Sequence, residues 1–168
     1  VEDSVVAVVP NDPLFLMLGS SNPEQFGAGP MFQEHPSSPF EIPFNKVPVA
    51  VRNDDGGFVF DENGKQKYGL EDHVVTIRAS YAKRHARRSD DKDAKWPTAQ
   101  ESRNPGDTPW GKLAAKNLGV SVMRADRELE LQVAWAGAYD PIERWWGIEV
   151  DFPPELDSIF GVTNNKQS

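Results

Sequence analysis

The chain has 168 residues, 38% of them hydrophobic, with five Trp and nine Phe, which is enough for one buried core and too much for a disordered chain. Its 18 basic and 26 acidic residues sum to -8, which argues against nonspecific adhesion of the whole surface to nucleic acid or anionic membrane. With no Cys, neither a disulfide framework nor a thiolate metal site is available, and the cytoplasm is the simplest address.

Val5 to Val9 is short, β-branched and closed by Pro10, which predicts a buried strand. It is far shorter than the ~20 residues of a membrane helix, and no basic leader precedes it, so no membrane span is expected. The chain opens on Val1 and stops at Ser168 just after a distinctive motif, and it reads as a fragment of a longer polypeptide. From residue 11 to 39, Pro13, Pro23, Pro30, Pro36 and Pro39 remove backbone donors and break periodicity. That stretch is expected to be an extended surface loop pinned by Leu14, Phe15, Leu16 and Met17.

Phe40 to Arg52 alternates apolar and polar residues, with Pro43 and Pro48 favouring an edge strand broken once. Phe58 to Tyr68, around Asp61-Glu62-Asn63-Gly64, predicts a hairpin, and Asp54-Asp55-Gly56-Gly57 another turn. His73 to Ala82 is rich in β-branched residues and is expected near the sheet centre. Residues 83–107 are charged and nearly free of apolar side chains, as in a flexible insertion.

Thr108 is suited to cap a helix, Pro109 to its first position and Gly119 to its end, predicting about three turns. Val120 to Met123 and Leu129 to Val133 read as strands around an Ala125-Asp126-Arg127 turn. Arg144 to Phe152 reads as another strand, then a Pro pair and a short helix from Glu155 to Phe160 with Leu156, Ile159 and Phe160 turned inward. Strands outnumber helices, so the expected class is α+β: one domain over 1–168, a mixed sheet with helices on one face.

Gly106 to Lys112 has the spacing of a phosphate-binding loop, but Leu113 follows where a hydroxyl is needed and Pro109 removes an amide from the cradle. A helix start is the better reading. His35, His73 and His85 form no ligand pair, and the acidic turns lack the ligand pattern of a calcium loop, so no metal site is expected. Lys83, Arg84, Arg87 and Arg88, with His85, gather basic side chains that could contact phosphates, although Asp90, Asp91 and Asp93 offset their field. With aromatics near Trp135, Trp145 and Trp146 taken as exposed, this segment supports an alternative reading as a nonenzymatic protein- or nucleic-acid-binding module.

The most specific stretch is the last: Trp146 to Phe152, Pro153-Pro154, Glu155-Leu156-Asp157, then Phe160-Gly161-Val162-Thr163-Asn164-Asn165-Lys166-Gln167. With Gly119 to Leu129 and His73 to Lys83, it resembles the transducer domain of GHKL-type ATPases (gyrase, chaperone, histidine kinase and MutL), closest to MORC-like proteins and their bacterial relatives. The resemblance implies a fold like that of a small-subunit ribosomal protein. It also implies an N-terminal ATP-binding domain in the same parent chain, holding ATP and Mg, and a parent that dimerises. By the same resemblance Lys166 reaches the γ-phosphate, with Asn164, Asn165 and Gln167 orienting the loop or bonding to phosphate. The Asn-bearing helix, the Asp-x-Gly-x-Gly turn and the glycine-rich lid of the family's nucleotide pocket do not occur here, so this chain alone is expected to hold no ATP.

Overall fold

The computed structural model describes residues 11–17, 20, 30, 32–83, 105–107, 109–133 and 144–162. The expected strand at Val5–Val9 and most of the charged stretch 83–107 lie outside them. The described elements are β1 (Phe32–Glu34), β2 (Phe40–Ala50), β3 (Tyr68–Ala82), α1 (Pro109–Lys116), β4 (Val120–Arg124), β5 (Arg127–Gln132), β6 (Trp146–Phe152) and α2 (Asp157–Phe160), with 3₁₀ turns at Pro105–Asp107 and Pro154–Leu156. The class is α+β with one mixed six-stranded sheet.

β3 is the hub of that sheet. It pairs antiparallel with β1, β2 and β6, and β6 then pairs in parallel with β4, which carries β5 at its other edge. The strand starts five residues earlier than its apolar composition suggested, because Tyr68 to His73 complete a ladder with β2. β6 covers β3 only from Thr76 to Tyr81. The first half of β3 and most of β2 therefore form a two-stranded ribbon that runs past β6.

β2 carries its expected break between Phe44 and Val47, where Lys46 takes a φ of 56° and its N–H is bonded by Asp72. Two turns close the ribbon. In each, an Asx side chain accepts from the backbone and a left-handed glycine completes the bend: Asn53 takes the Gly57 N–H beside Gly56, and Asp61 takes the Asn63 and Lys65 N–H groups around Gly64. Asn63 does not take a positive φ, so the second turn is a glycine-bulge type and not the two-residue Asn-Gly form. Val51 donates to Lys67, Lys67 to Val59 and Val59 to Val51, which ties the ribbon's end into a triangle of backbone bonds.

Side chains alternate across a strand, so Val75 and Ala82, seven residues apart on β3, face opposite sides. Ala82 packs with Phe15, Phe32 and Ala114 of α1, whereas Val75 packs with Val47, Phe152 and Leu156 of the second 3₁₀ turn. The described helical elements therefore divide between two faces, which corrects the expectation of one. The physical reason is that β3 offers an apolar side chain to each face, Ala82 meeting Phe15, Phe32 and Ala114 on one side and Val75 meeting Phe152 and Leu156 on the other, and each cluster needs its own cover.

Other expectations are corrected as well. The 11–39 stretch contains β1, whose three residues extend the ladder along β3, and Met17 is 54% exposed while Leu14 and Phe15 are buried. α1 is eight residues long because Asn117 ends it, bonding the Leu113 carbonyl through both its backbone and its side-chain N–H before Gly119 is reached. Ile159 and Phe160 are both exposed, Phe160 covering Phe152 with one ring face only, since the 3₁₀ turn before α2 shifts the helical phase and leaves Leu156 as the inward residue. Trp145 and Trp146 are half-buried, and Trp145 packs beside the Phe15–Phe32 cluster, so these aromatics are not an open surface.

Residues 11–17 are fastened to the α1 side of the sheet. The Asp12 carboxylate accepts the N–H groups of Leu14, Leu16 and Met17, and Ser80 donates its hydroxyl to the Leu14 carbonyl at 2.7 Å. Gly147 makes room for this backbone, because a Cβ there would meet the Pro13 carbonyl oxygen at 2.3 Å. Gly147→Ala is expected to lose about 1–3 kcal/mol in chemical denaturation by forcing the backbone apart. Gly69→Ala, whose added carbon meets nothing closer than 3.9 Å, serves as the tolerated control.

Candidate functional site

The polar terminal motif follows the run β6, Pro153, 3₁₀ turn, α2, and the described residues end at Val162, where that run is anchored from three sides. Phe152 is 1% exposed and Leu156 fully buried, both against Val75 and Val47. Phe160 stacks on Phe152 with centroids 4.1 Å apart and planes 9° from parallel, so the short helix folds back over the strand it came from. Val162 packs against the same cluster.

The third anchor is ionic. Arg124, the last residue of β4, donates Nε to Asp157 Oδ1 at 2.5 Å and Nη2 to Asp157 Oδ2 at 2.6 Å, a bidentate pair of half-buried side chains across 33 residues of sequence. The hydrogen bond to Asp157 raises the guanidinium above its ordinary value. Asp157 has a second duty: its carbonyl accepts the N–H groups of Gly161 and Val162, and Gly161 takes the left-handed conformation at φ 70° that ends α2. One residue thus joins β4 to the point where the chain leaves the core. A cleft of about 720 Å³ lies alongside, lined by Val49, Glu71, Arg124, Glu155 and Asp157 among others.

On the α1 face, Asp12, Arg78, Asp126, Glu128 and Glu149 line a cleft of about 470 Å³. Glu128 accepts the hydroxyl of the fully buried Ser121 at 3.0 Å, and Arg78 approaches Glu149 at 3.8 Å. Burial pushes the Glu149 carboxyl above its ordinary value, opposed by Arg78 and reinforced by Asp151, Asp12 and Glu128. Asp151 moves the same way, again chiefly through burial. Among the described residues no group of His, Asp and Glu side chains could hold a metal ion, and no helix is long and apolar enough to cross a membrane.

Of the residues singled out by sequence, Asn164, Asn165, Lys166 and Gln167 lie outside the described residues, as do Arg84, Arg87, Arg88 and Trp135. Lys83 is described as half-buried, just past the end of β3. The Gly106–Lys112 stretch is a helix start, with Arg144 Nη1 donating to the Gly106 and Gly111 carbonyls at 3.3 Å each. Sequence reasoning missed the Arg124–Asp157 pair. A signal was present, since Arg124 shares a strand parity with the core residue Val122, and a cation at an apolar position calls for a partner.

No protein-family model, curated protein or solved structure matches the chain.

The raised Glu149 carboxyl makes a prediction about pH. A group harder to ionise when folded contributes most stability below its unfolded value and loses it as pH rises through the folded value. Glu149→Gln should therefore raise the Tm at neutral pH, and the gain should vanish on acidification below the ordinary glutamate range. Paired thermal melts at the two pH values check this.

Proposed function

We propose that this chain is the transducer module of a GHKL-type ATPase, of the MORC-like and bacterial kind, with the ribosomal-protein-like transducer fold. In this reading ATP and Mg are held by an N-terminal domain of the same cytoplasmic, dimerising parent. Lys166 contacts the terminal phosphate, and that contact sets the angle between the two domains. The bound nucleotide supplies the γ-phosphate and its energy of hydrolysis. This chain supplies donors of matching chemistry, an ammonium at Lys166 and amides at Asn164, Asn165 and Gln167.

The observation that carries the reading is the anchored exit at Gly161 and Val162. A phosphate sensor must follow a rigid body if binding is to move that body, and Val162, the residue before the polar motif, packs half-buried against the core cluster. Lys166 follows four residues later, so chain length alone keeps its Cα within about 14 Å of Val162. The division of labour also suits the composition, since a polar tail can adjust to a nucleotide without disturbing Leu156 or Phe152.

In the full parent, Lys166→Ala is expected to lower ATP turnover by about a hundredfold and to weaken nucleotide-driven dimerisation. Steady-state ATPase assays and sizing with a nonhydrolysable nucleotide check it. Unchanged values in both would remove the proposal.

A further inference from the structure

We infer that one end of the sheet face opposite α1 binds single-stranded nucleic acid, stacking bases on Phe40, His35 and Tyr81. The inference goes beyond the transducer reading and uses none of its residues. Ala82 packs on the α1 side, so Tyr81 before it faces the other way, with Gln33 of β1 as its register partner on that face. Phe40 of β2, opposite Ile77 of β3, shares the face. His35, just past β1 and exposed, links the two: its ring centroid lies 6.1 Å from Tyr81 at 68° and 6.3 Å from Phe40 at 30°. The row is held in place by polar bonds, since Gln33 donates its amide to the Tyr81 hydroxyl and His35 Nδ1 accepts the Ser37 N–H at 3.2 Å.

The described cover of this face, the second 3₁₀ turn with α2, packs on Val47, Val75 and Phe152, and nearer β1 Phe40 and Ile42 remain 44% and 43% exposed. Exposed rings suit many partners, and charge selects among them. The chain carries -8 overall, yet the described β1, β2, β3 and β6 positions that share the face level with residues 77–81 include no carboxylate. Glu34, Glu41 and Glu149 have the opposite parity, and Glu34 is engaged there by Ser38 and Arg78. Lys83, the next residue of Tyr81's parity, adds a cation at the end of the row. A basic peptide finds no carboxylate on this surface, and an acidic peptide brings no run of π faces. A polyanion with a planar base at every step meets both conditions. A duplex keeps those base faces inside its own stack, so the single strand is the ligand that fits.

The test titrates the 168-residue chain into fluorescein-labelled oligothymidine and oligouridine of about 15 nucleotides, and into a duplex of the same length, reading anisotropy. At about 50 mM salt, micromolar binding to one or both single strands is expected, about tenfold tighter than to the duplex. Phe40→Ala and Tyr81→Ala each weaken it about tenfold. Tyr81→Phe keeps the ring, loses the bond to Gln33 and stays within about threefold of wild type, which guards against a folding defect. Lys83→Gln lowers the salt slope by about 0.7. Tyr68→Ala, which removes a 61% exposed ring from the opposite face at the far end of β3, binds like wild type.

No binding at about 100 µM chain, or equal binding to the duplex, overturns the inference. So does wild-type affinity in both Phe40→Ala and Tyr81→Ala, or an equal loss in Tyr68→Ala, which marks indiscriminate adhesion to exposed rings. Self-association of the free chain that Phe40→Ala and Tyr81→Ala abolish overturns it as well, because the face is then a contact between copies.

Discussion

The pairing of β3 on both of its edges is the constraint on which the described structure depends. Fifteen residues long, the strand takes β1 and β2 along one edge and β6 along the other, and through β6 it carries β4 and β5. Because its side chains alternate, the same strand also seeds both cores: Val75 on one side and Ala82 on the other. The loop at 11–17 and α1 cover one face, and the second 3₁₀ turn with α2 covers the other. Each cover reaches the sheet through a hydrogen bond or ion pair as well as apolar contact, Ser80 to Leu14 on one side and Arg124 to Asp157 on the other.

Local chemistry explains which parts of the fold were legible in the sequence. Strands with β-branched residues at a period of two (β3, β6 and β4) were readable because their pattern has a mechanism independent of partners. The turns at Asn53–Gly56 and Asp61–Gly64 were readable because Asx side chains and glycine act within a few residues. β1 was hidden by the prolines around it: three residues that pair only because β3 extends far enough to receive them. Placing the helices on two faces required knowing which parity of β3 met which element, and that is a long-range fact.

The candidate site divides in the same way. The polar motif at 163–167 stood out in the sequence, yet the residues that anchor its start did not, since Arg124 and Asp157 are 33 positions apart and neither is unusual in its own window. Ionic partners are chosen by topology, here by the parallel alignment of β4 with β6. The acidic cleft around Glu149 was equally unreadable, because its carboxylates come from the 11–17 loop, the β4–β5 hairpin and β6. What could have been noticed is parity: a charge where the alternation expects an apolar side chain.

The ribbon of β2 and β3 beyond β6 has a consequence for how the molecule avoids its own kind. Among the described residues β2 pairs only with β3, which leaves a long outer edge of the sort that templates fibrils. Pro43 and Pro48 remove two amides from that strand, and the irregularity at Lys46, an exposed charged residue at φ 56°, breaks its ladder register. These three positions interrupt any run of ladder bonds that a stray strand would need for growth, so the same irregularities that obscure β2 in the sequence guard the protein against polymerising through it.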